Sequence, residues 1–462
     1  MSRPALVIGF AVTGQAAARA LLSQGWRVTA VDDGEVSVKM ERTAEELGVE
    51  LVARPSRARL AELATRAELV VLSPGVPPSH PVFALADPAK IVAEVELAFS
   101  LTDRPVLAIT GTNGKTTVTS LVTAILEASG RKPEAVGNIG RPFIEAVTAG
   151  SASLFVVEVS SFQLAWTKTF RPAVSCWLNL AADHLDWHAG MAEYAEAKAR
   201  IWANQGPDEV AVANAEDPVV MAHAARARAR LVTFGRVVGE VRRQGDLLVS
   251  PAGEICRVDE LPRSLPHDVA NAAAASAVAL SAGAGPADCG AALRAGVPMR
   301  HRIELVAEQD GVFWYDDSKA TTPSAALAAL VGFERAVLIA GGRSKGLDFG
   351  AIVSGLEAER SAGGPGLGRL AGVVAIGESA GEVVGAFSRA GIAVVRAASM
   401  AEAVEAAAAF AEPGASVLLS PGAASFDWYR NYGERGDDFA RLVRRRAGGR
   451  PGSAEGGARW PS

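Results

Sequence analysis

The sequence predicts an α/β protein of three domains. Three observations carry that reading: the length of the chain, a succession of short aliphatic strands each followed by a helical stretch, and two points at which the succession restarts. At 462 residues the chain exceeds what one hydrophobic core organises. Hydrophobic residues make up 49% and charged residues 21%, enough apolar surface for sizeable cores. Strands alternating with helices imply largely parallel sheets covered by helices on both faces.

The first segment, residues 1–94, opens with the buried-strand pattern Ala5-Leu6-Val7-Ile8, a turn from Gly9 to Gly14 and an alanine-rich helix. A second strand, Trp26 to Val31, ends in Asp32-Asp33, where a dinucleotide-binding fold places its ribose-binding acid. Ala11 stands in place of the middle glycine that lets a pyrophosphate approach, which disfavours classical NAD binding. A nucleotide-binding turn and a purely structural one both stay open. Leu69 to Leu72 is a further strand, ending in the loop Ser73-Pro74-Gly75, and Ile91 to Ser100 reads as a linking helix.

The second segment, residues 95–300, restarts with the strand Val106 to Thr110. Strands follow at Leu154 to Val159, Val174 to Leu180 and Val210 to Asn214, with a late helix from Asn271 to Ala284. The third segment, residues 301–447, carries the strands Ala336 to Ala340, Val373 to Ile376 and Ser416 to Ser420, and Ser361 to Gly368 reads as a surface loop. Residues 448–462 lack periodicity and read as a disordered tail.

A net charge of -5 and a pI near 5.8 give no general basic field, so neither nucleic acid nor an anionic membrane is an expected partner. Cys176, Cys256 and Cys289 are isolated and odd in number, against both a zinc site and a disulfide framework. The run Ala5 to Val12 is too short to span a bilayer. A cytoplasmic, monomeric protein is the expectation.

The strongest motif is Thr110-Gly111-Thr112-Asn113-Gly114-Lys115-Thr116-Thr117, set between a strand and a helix. Glycines turn backbone N–H groups toward a phosphate, the helix N-terminus adds its dipole, Lys115 adds charge, and the hydroxyl of Thr116 can reach magnesium. Ile109 replaces the usual first glycine, so the loop is a shortened variant of the nucleotide-binding pattern. A glycine-rich turn with a chance lysine does not account for this run at such a junction.

The loop resembles that of the Mur ligases and the related folylpolyglutamate synthetases. The resemblance implies three domains: a Rossmann-like N-terminal domain for a UDP-sugar, a central P-loop ATPase with a mostly parallel sheet, and a Rossmann-like C-terminal domain. It also implies an enzyme that makes an acyl phosphate from a carboxylate with ATP and Mg2+ and lets an amine displace phosphate. Glu158, in Glu158-Val159-Ser160-Ser161-Phe162-Gln163, is similar to the family's metal-binding glutamate. His184, in Asp183-His184-Leu185-Asp186-Trp187-His188, corresponds to a second-metal ligand. His188 reads as a cap of the following helix. Lys198 matches a lysine that is carbamylated in the family and faces the second metal.

Asn138 is similar to an asparagine near substrate and phosphates, and Asn271 to one on the adenine side. Asp268 replaces an asparagine and stays unassigned. Arg302 and Asp317 match positions that close on the nucleotide. Thr321, Lys345 and Ser425 resemble the carboxylate-holding residues of the branch that adds D-glutamate, with Tyr432 as an aromatic wall. Asp-Asn-Pro-Arg, the mark of the branch adding meso-diaminopimelate, is absent. The UDP-sugar end is assigned to Val12, Thr13, Ser73, Pro74 and Gly75. The implied partners are ATP, D-glutamate and a UDP-linked N-acetylmuramoyl-L-alanine on the way to peptidoglycan. Another amide ligase of this family and a non-catalytic nucleotide-binding protein remain the alternatives.

Overall fold

The computed structural model describes residues 2–184, 187–343, 346, 348–361 and 363–446, in two compact units, Met1–Val297 and Pro298–Ser462. The tail beyond 446 lies outside the described residues.

The first unit holds two parallel sheets. In the N-terminal one the strand order is Glu50–Ala53, Arg27–Asp32, Pro4–Ile8, Leu69–Leu72, Ile91–Ala93. The order reverses beside Pro4–Ile8, the arrangement that opens a crevice at the carboxyl ends of the strands. Ile91–Ala93, expected as part of a linking helix, is instead the fifth strand, and the helix begins only at Glu94. A short apolar run has no periodicity that separates helix from strand. Here parallel pairing with Leu72 settles it.

The second sheet runs Arg230–Phe234, Val210–Asn214, Val174–Trp177, Val106–Thr110, Leu154–Glu158, Pro133–Gly137, again all parallel. Val106 and Ala108 face one core while Leu107 and Ile109 face the other, the alternation of a strand covered on both sides. Helices Lys115–Ala128 and Pro266–Ser281 share the second of these cores. The latter buries Ala272 to Ala275 completely or nearly so, and small side chains let the two helices approach closely. A three-stranded antiparallel sheet, Arg242–Gln244, Leu247–Ser250, Gly253–Arg257, lies beside them.

The two layers of the first unit are pinned by buried carboxylates. Glu94 accepts from the amide of Ile144 at 2.6 Å, and Glu96 accepts from the amides of Lys168, Thr169 and Phe170. The second unit is a six-stranded sheet ordered Glu304–Gln309, Val312–Asp316, Ser416–Leu419, Ala336–Gly341, Leu370–Ile376, Val394–Arg396. It is parallel except for its first strand, which pairs antiparallel. The stretch read as a loop ends in a short helical turn, Gly366–Arg369, whose Arg369 is buried. The three cysteines are free and buried. Among the described residues no helix is long and apolar enough to cross a membrane.

Candidate active site

The nucleotide loop leaves the buried strand Val106–Thr110 and enters the helix at Lys115. Gly114 takes φ +83°, and a Cβ there would come within 2.6 Å of Asn271 Oδ1, so glycine is required and Asn271 lies directly against the loop. Lys115 Nζ donates to the carbonyls of Gly111 and Thr112, both at 2.9 Å. Asn179 was not singled out from the sequence, yet it shapes this loop. Its Oδ1 accepts from the amides of Thr112 and Asn113 at 3.1 and 2.9 Å, and its Nδ2 donates to the Asn113 carbonyl at 3.1 Å. An amide at the carboxyl end of the adjacent parallel strand, able to donate and accept, was the available signal.

Glu158 ends the neighbouring strand, in register with Ile109, and is 2% exposed. Its Oε1 accepts from Asn138 Nδ2 at 3.1 Å, and its Oε2 is buried without a hydrogen-bond partner. A buried carboxylate oxygen without a donor calls for a cation, and with the nearly buried Thr116 in the first helical turn the donors are hard oxygens of the kind magnesium prefers. Lys198 is 1% exposed, donates to the Gly111 carbonyl at 2.8 Å and lies over the Tyr194 ring at 4.6 Å. Burial holds its pKa well below the ordinary lysine value, helped by the charge of Lys115 and opposed by Asp183 and Glu158.

His184 has φ +54°, with Nε2 3.3 Å from Asp183 Oδ2 and its ring edge-on to Phe162. His188 is buried, its Nε2 3.0 Å from Ser161 Oγ, so packing rather than helix capping fixes it; Gly190 holds the N-cap position. Leu185 and Asp186 lie outside the described residues. Among the described residues, the group of three imidazole and carboxylate ligands within 4.8 Å of one another is His301, Glu304 and Asp316 in the second unit, none of them a residue expected to bind metal. It is internally satisfied: His301 Nδ1 lies 2.7 Å from Asp316 Oδ2, and Glu304 accepts from the His301 amide. Asp268, unassigned from sequence, pairs through both oxygens with Arg263 at the start of the helix that carries Asn271.

In the N-terminal layer, Ser73 Oγ donates to the Gly9 carbonyl at 2.8 Å, which brings the loop Ser73-Pro74-Gly75 against the first glycine turn. Val12 is exposed and, with Thr13, opens the helix there. Asp32 does not face outward as a ribose acceptor. Its two oxygens accept from the amides of Phe10 at 2.6 Å and Gly34 at 2.9 Å. A small hollow lies beside Ser73 and Pro74, walled by Phe162, Gln163, Trp166 and Trp187.

In the second unit, Asp317 is buried and accepts from Ser420 Oγ at 2.7 Å, and Ser425 is buried in the loop after Ser416–Leu419. Thr321 follows Asp317 on the neighbouring loop, Arg302 precedes the first strand, and the part-exposed Tyr432 opens the last helix. Lys345 lies outside the described residues.

An ATP-type phosphate loop on a doubly covered parallel sheet, followed by a second open α/β unit, defines a nucleotide-dependent enzyme. Family models match in chain order: the Mur ligase MurD-like N-terminal domain at residues 3–93, the Mur ligase middle domain at 109–279 and the Mur ligase glutamate ligase domain at 301–422. The chain belongs to the Mur ligases, ATP-dependent enzymes that form amide bonds. It is 44% identical over 459 residues to the UDP-N-acetylmuramoylalanine--D-glutamate ligase of Frankia casuarinae, covering 96% of this chain and 94% of that one. Its identity to the enzyme of the same name from Thermobifida fusca is 40%, over 96% of this chain and 99% of the relative. The fold is shared with a pseudomurein peptide ligase type C from Methanothermus fervidus, at TM-score 0.60 and 18% identity over 96% of this chain and 100% of that one. UDP-N-acetylmuramate-alanine ligase from Thermotoga maritima gives TM-score 0.59 and 18% identity over 97% and 100%.

Proposed function

We propose that this enzyme adds D-glutamate to UDP-N-acetylmuramoyl-L-alanine in peptidoglycan synthesis, in the cytoplasm. The observation that carries the choice of amine is the near full-length match to D-glutamate ligases at 40–44% identity. A terminal carboxylate oxygen of the UDP-linked substrate attacks the γ-phosphorus of ATP and ADP leaves. The amine nitrogen of D-glutamate then attacks the acyl carbon, phosphate leaves, and the nitrogen releases a proton. Gly111 to Thr117 cradle the triphosphate, with Lys115 exchanging the Gly111 and Thr112 carbonyls for phosphate oxygens. Asn271 serves the nucleotide in the first unit, and Arg302 and Asp317 are the nucleotide-binding residues of the second. Val12, Thr13 and Ser73 to Gly75 hold the UDP-sugar, Asn138 its reacting end, and Thr321, Lys345, Ser425 and Tyr432 the amino acid.

Glu158 and Thr116 hold a first magnesium ion, which when bound offsets charge on the phosphates. His184 and Lys198 belong to a second metal site. An ammonium cannot ligate, and Lys198 acts there as a carbamate: its neutral amine attacks the carbon of CO2, an N–C bond forms and one proton leaves to solvent. The depressed basicity of this buried lysine supports that chemistry. The deciding experiment supplies ATP, Mg2+ and UDP-N-acetylmuramoyl-L-alanine and measures phosphate release with D-glutamate, L-glutamate and meso-diaminopimelate. Release above background with D-glutamate alone is expected, and equal release with diaminopimelate overturns the assignment.

A further inference from the structure

Two adjacent aspartates, Asp32 and Asp33, stand where a nucleotide-binding α/β layer keeps the acid that holds ribose. Asp32 is fully used, because its two oxygens accept from the amides of Phe10 and Gly34. Asp33 is not. Its Oδ2 lies 2.8 Å from His80 Nε2, whereas its Oδ1 takes no hydrogen bond among the described residues and its side chain is 55% exposed. His80 is buried, and its Nδ1 accepts from the Val82 amide at 3.1 Å. The ring proton therefore sits on Nε2 and is donated to Asp33.

The pair spans the part of the sheet where ligands enter. Asp33 follows Arg27–Asp32 and His80 lies in the loop after Leu69–Leu72, two strands that flank Pro4–Ile8 on opposite sides. Their hydrogen bond bridges the carboxyl end of Pro4–Ile8, where the strand order reverses and an open α/β sheet binds its ligand. Both loops have other fastenings. Ser73 Oγ holds the second to the Gly9 carbonyl, and Arg54 Nε donates to the Asp33 carbonyl at 3.4 Å. A neutral acceptor would satisfy a histidine N–H equally well, but a carboxylate presents a second oxygen, here left to solvent with its orientation fixed by His80. With a diphosphate on the turn at Gly9, a ribose over the end of Arg27–Asp32 brings its hydroxyls to that oxygen.

We propose that Asp33 accepts a hydrogen bond from the ribose 2′-hydroxyl of the UDP-linked substrate and that His80 is the positioning residue that orients its carboxylate. The inference rests on the reading that the N-terminal layer binds the UDP-linked substrate.

The test uses the full chain, with the UDP-linked substrate and its 2′-deoxyuridine analogue. Wild-type turnover with the ribose form comes first, since its absence would sink the parent reading and not this one. Wild type should then show a KM about tenfold higher for the deoxy analogue, with kcat within about twofold. Asp33→Ala should raise the KM for the ribose form about tenfold and leave those for the deoxy analogue and for ATP within about twofold, which erases the discrimination. His80→Leu removes the donor and should reduce the discrimination to about threefold, and His80→Gln, whose amide nitrogen can replace the ring N–H, should recover most of it. A wild type that does not distinguish the two substrates overturns the proposal. So does an Asp33→Ala enzyme that keeps the discrimination, whether its KM values are unchanged or both raised, since its carboxylate then does not read the hydroxyl. Unchanged discrimination in His80→Leu overturns the positioning role. Should the His80 variants unfold, the exposed Asp33 still decides the contact.

Discussion

The first unit contains two strand–glycine–helix turns, and they differ in what surrounds them. In the central layer the loop at Gly111–Gly114 is bordered by Lys115, by Glu158 with one unpartnered oxygen and by the buried amine of Lys198. At Gly9–Ala11 in the N-terminal layer the nearby acid, Asp32, is occupied by the backbone amides of Phe10 and Gly34, and the helix starts at Val12 without a lysine. Both turns lead into a helix N-terminus, the local feature that suits a phosphate. Only the central one gathers charged groups, Lys115 from its own helix, Glu158 from the neighbouring strand and Lys198 from the helix Met191–Ala199. A glycine turn can therefore hold a diphosphate, but phosphoryl transfer needs the side chains its neighbours contribute.

Breaking the central loop should have the largest effect. Lys115→Ala is expected to lower kcat/KM by on the order of a hundredfold or more with the fold intact, because a preorganised charge at the transferring phosphoryl group is lost. Activity within about threefold of wild type would place the lysine outside the reaction. Lys198→Ala comes next. It should lose most ligation, together with a carbamate resonance that 13C-bicarbonate gives in wild-type NMR spectra. A fully active variant would reduce Lys198 to a buried prop under Gly111.

Asn179→Ala sharpens the comparison by removing a support and no charge. With three hydrogen bonds to the loop gone, the KM for ATP should rise about tenfold while that for the UDP-linked substrate holds. The converse belongs to the N-terminal turn. Asp32→Ala leaves the Phe10 and Gly34 amides without an acceptor and should raise the KM for the UDP-linked substrate about fivefold without altering that for ATP. If either variant moves both KM values together, the two turns are not separate sites.

The same contrast explains what was legible in the sequence. The strand Val106–Thr110 and the loop after it were readable because each requirement is local: a buried aliphatic run, glycines at the turn, and lysine and threonine at the helix start. Asn179 lies 66 residues from Asn113, and His80 meets Asp33 across the end of the strand Pro4–Ile8, so what they do depends on which strands become neighbours. Asp32 illustrates the opposite failure. Its spacing fits a ribose-binding acid, but a two-residue reach to Gly34 and a return to Phe10 satisfy it first. The edge strands Pro133–Gly137 and Val394–Arg396 escaped because glycine and proline, or brevity, erase the pattern that marks a strand.

The smallest effect on turnover is expected at the joint between the two layers. Glu94 begins the helix after the last strand of the N-terminal sheet, and its carboxylate receives the Ile144 amide at the start of helix Phe143–Ala149 in the central layer. Burial pushes its pKa from the ordinary 4.5 up to about 7, against the lowering pull of the backbone amides it accepts. The native state therefore binds more protons than the unfolded chain between those values, so stability must fall as pH rises through that window. The contribution is complete below about pH 4.5 and gone above about pH 7, a span of at most about 3 kcal/mol. Glu94→Gln keeps one acceptor oxygen and cannot ionise. Its turnover at pH 8 should match wild type within about twofold, and its denaturant midpoint should change less than that of wild type between pH 5 and pH 8. Parallel pH profiles for the two proteins would mean that Glu94 is ionised throughout and that the joint is held by a charged cap on the helix.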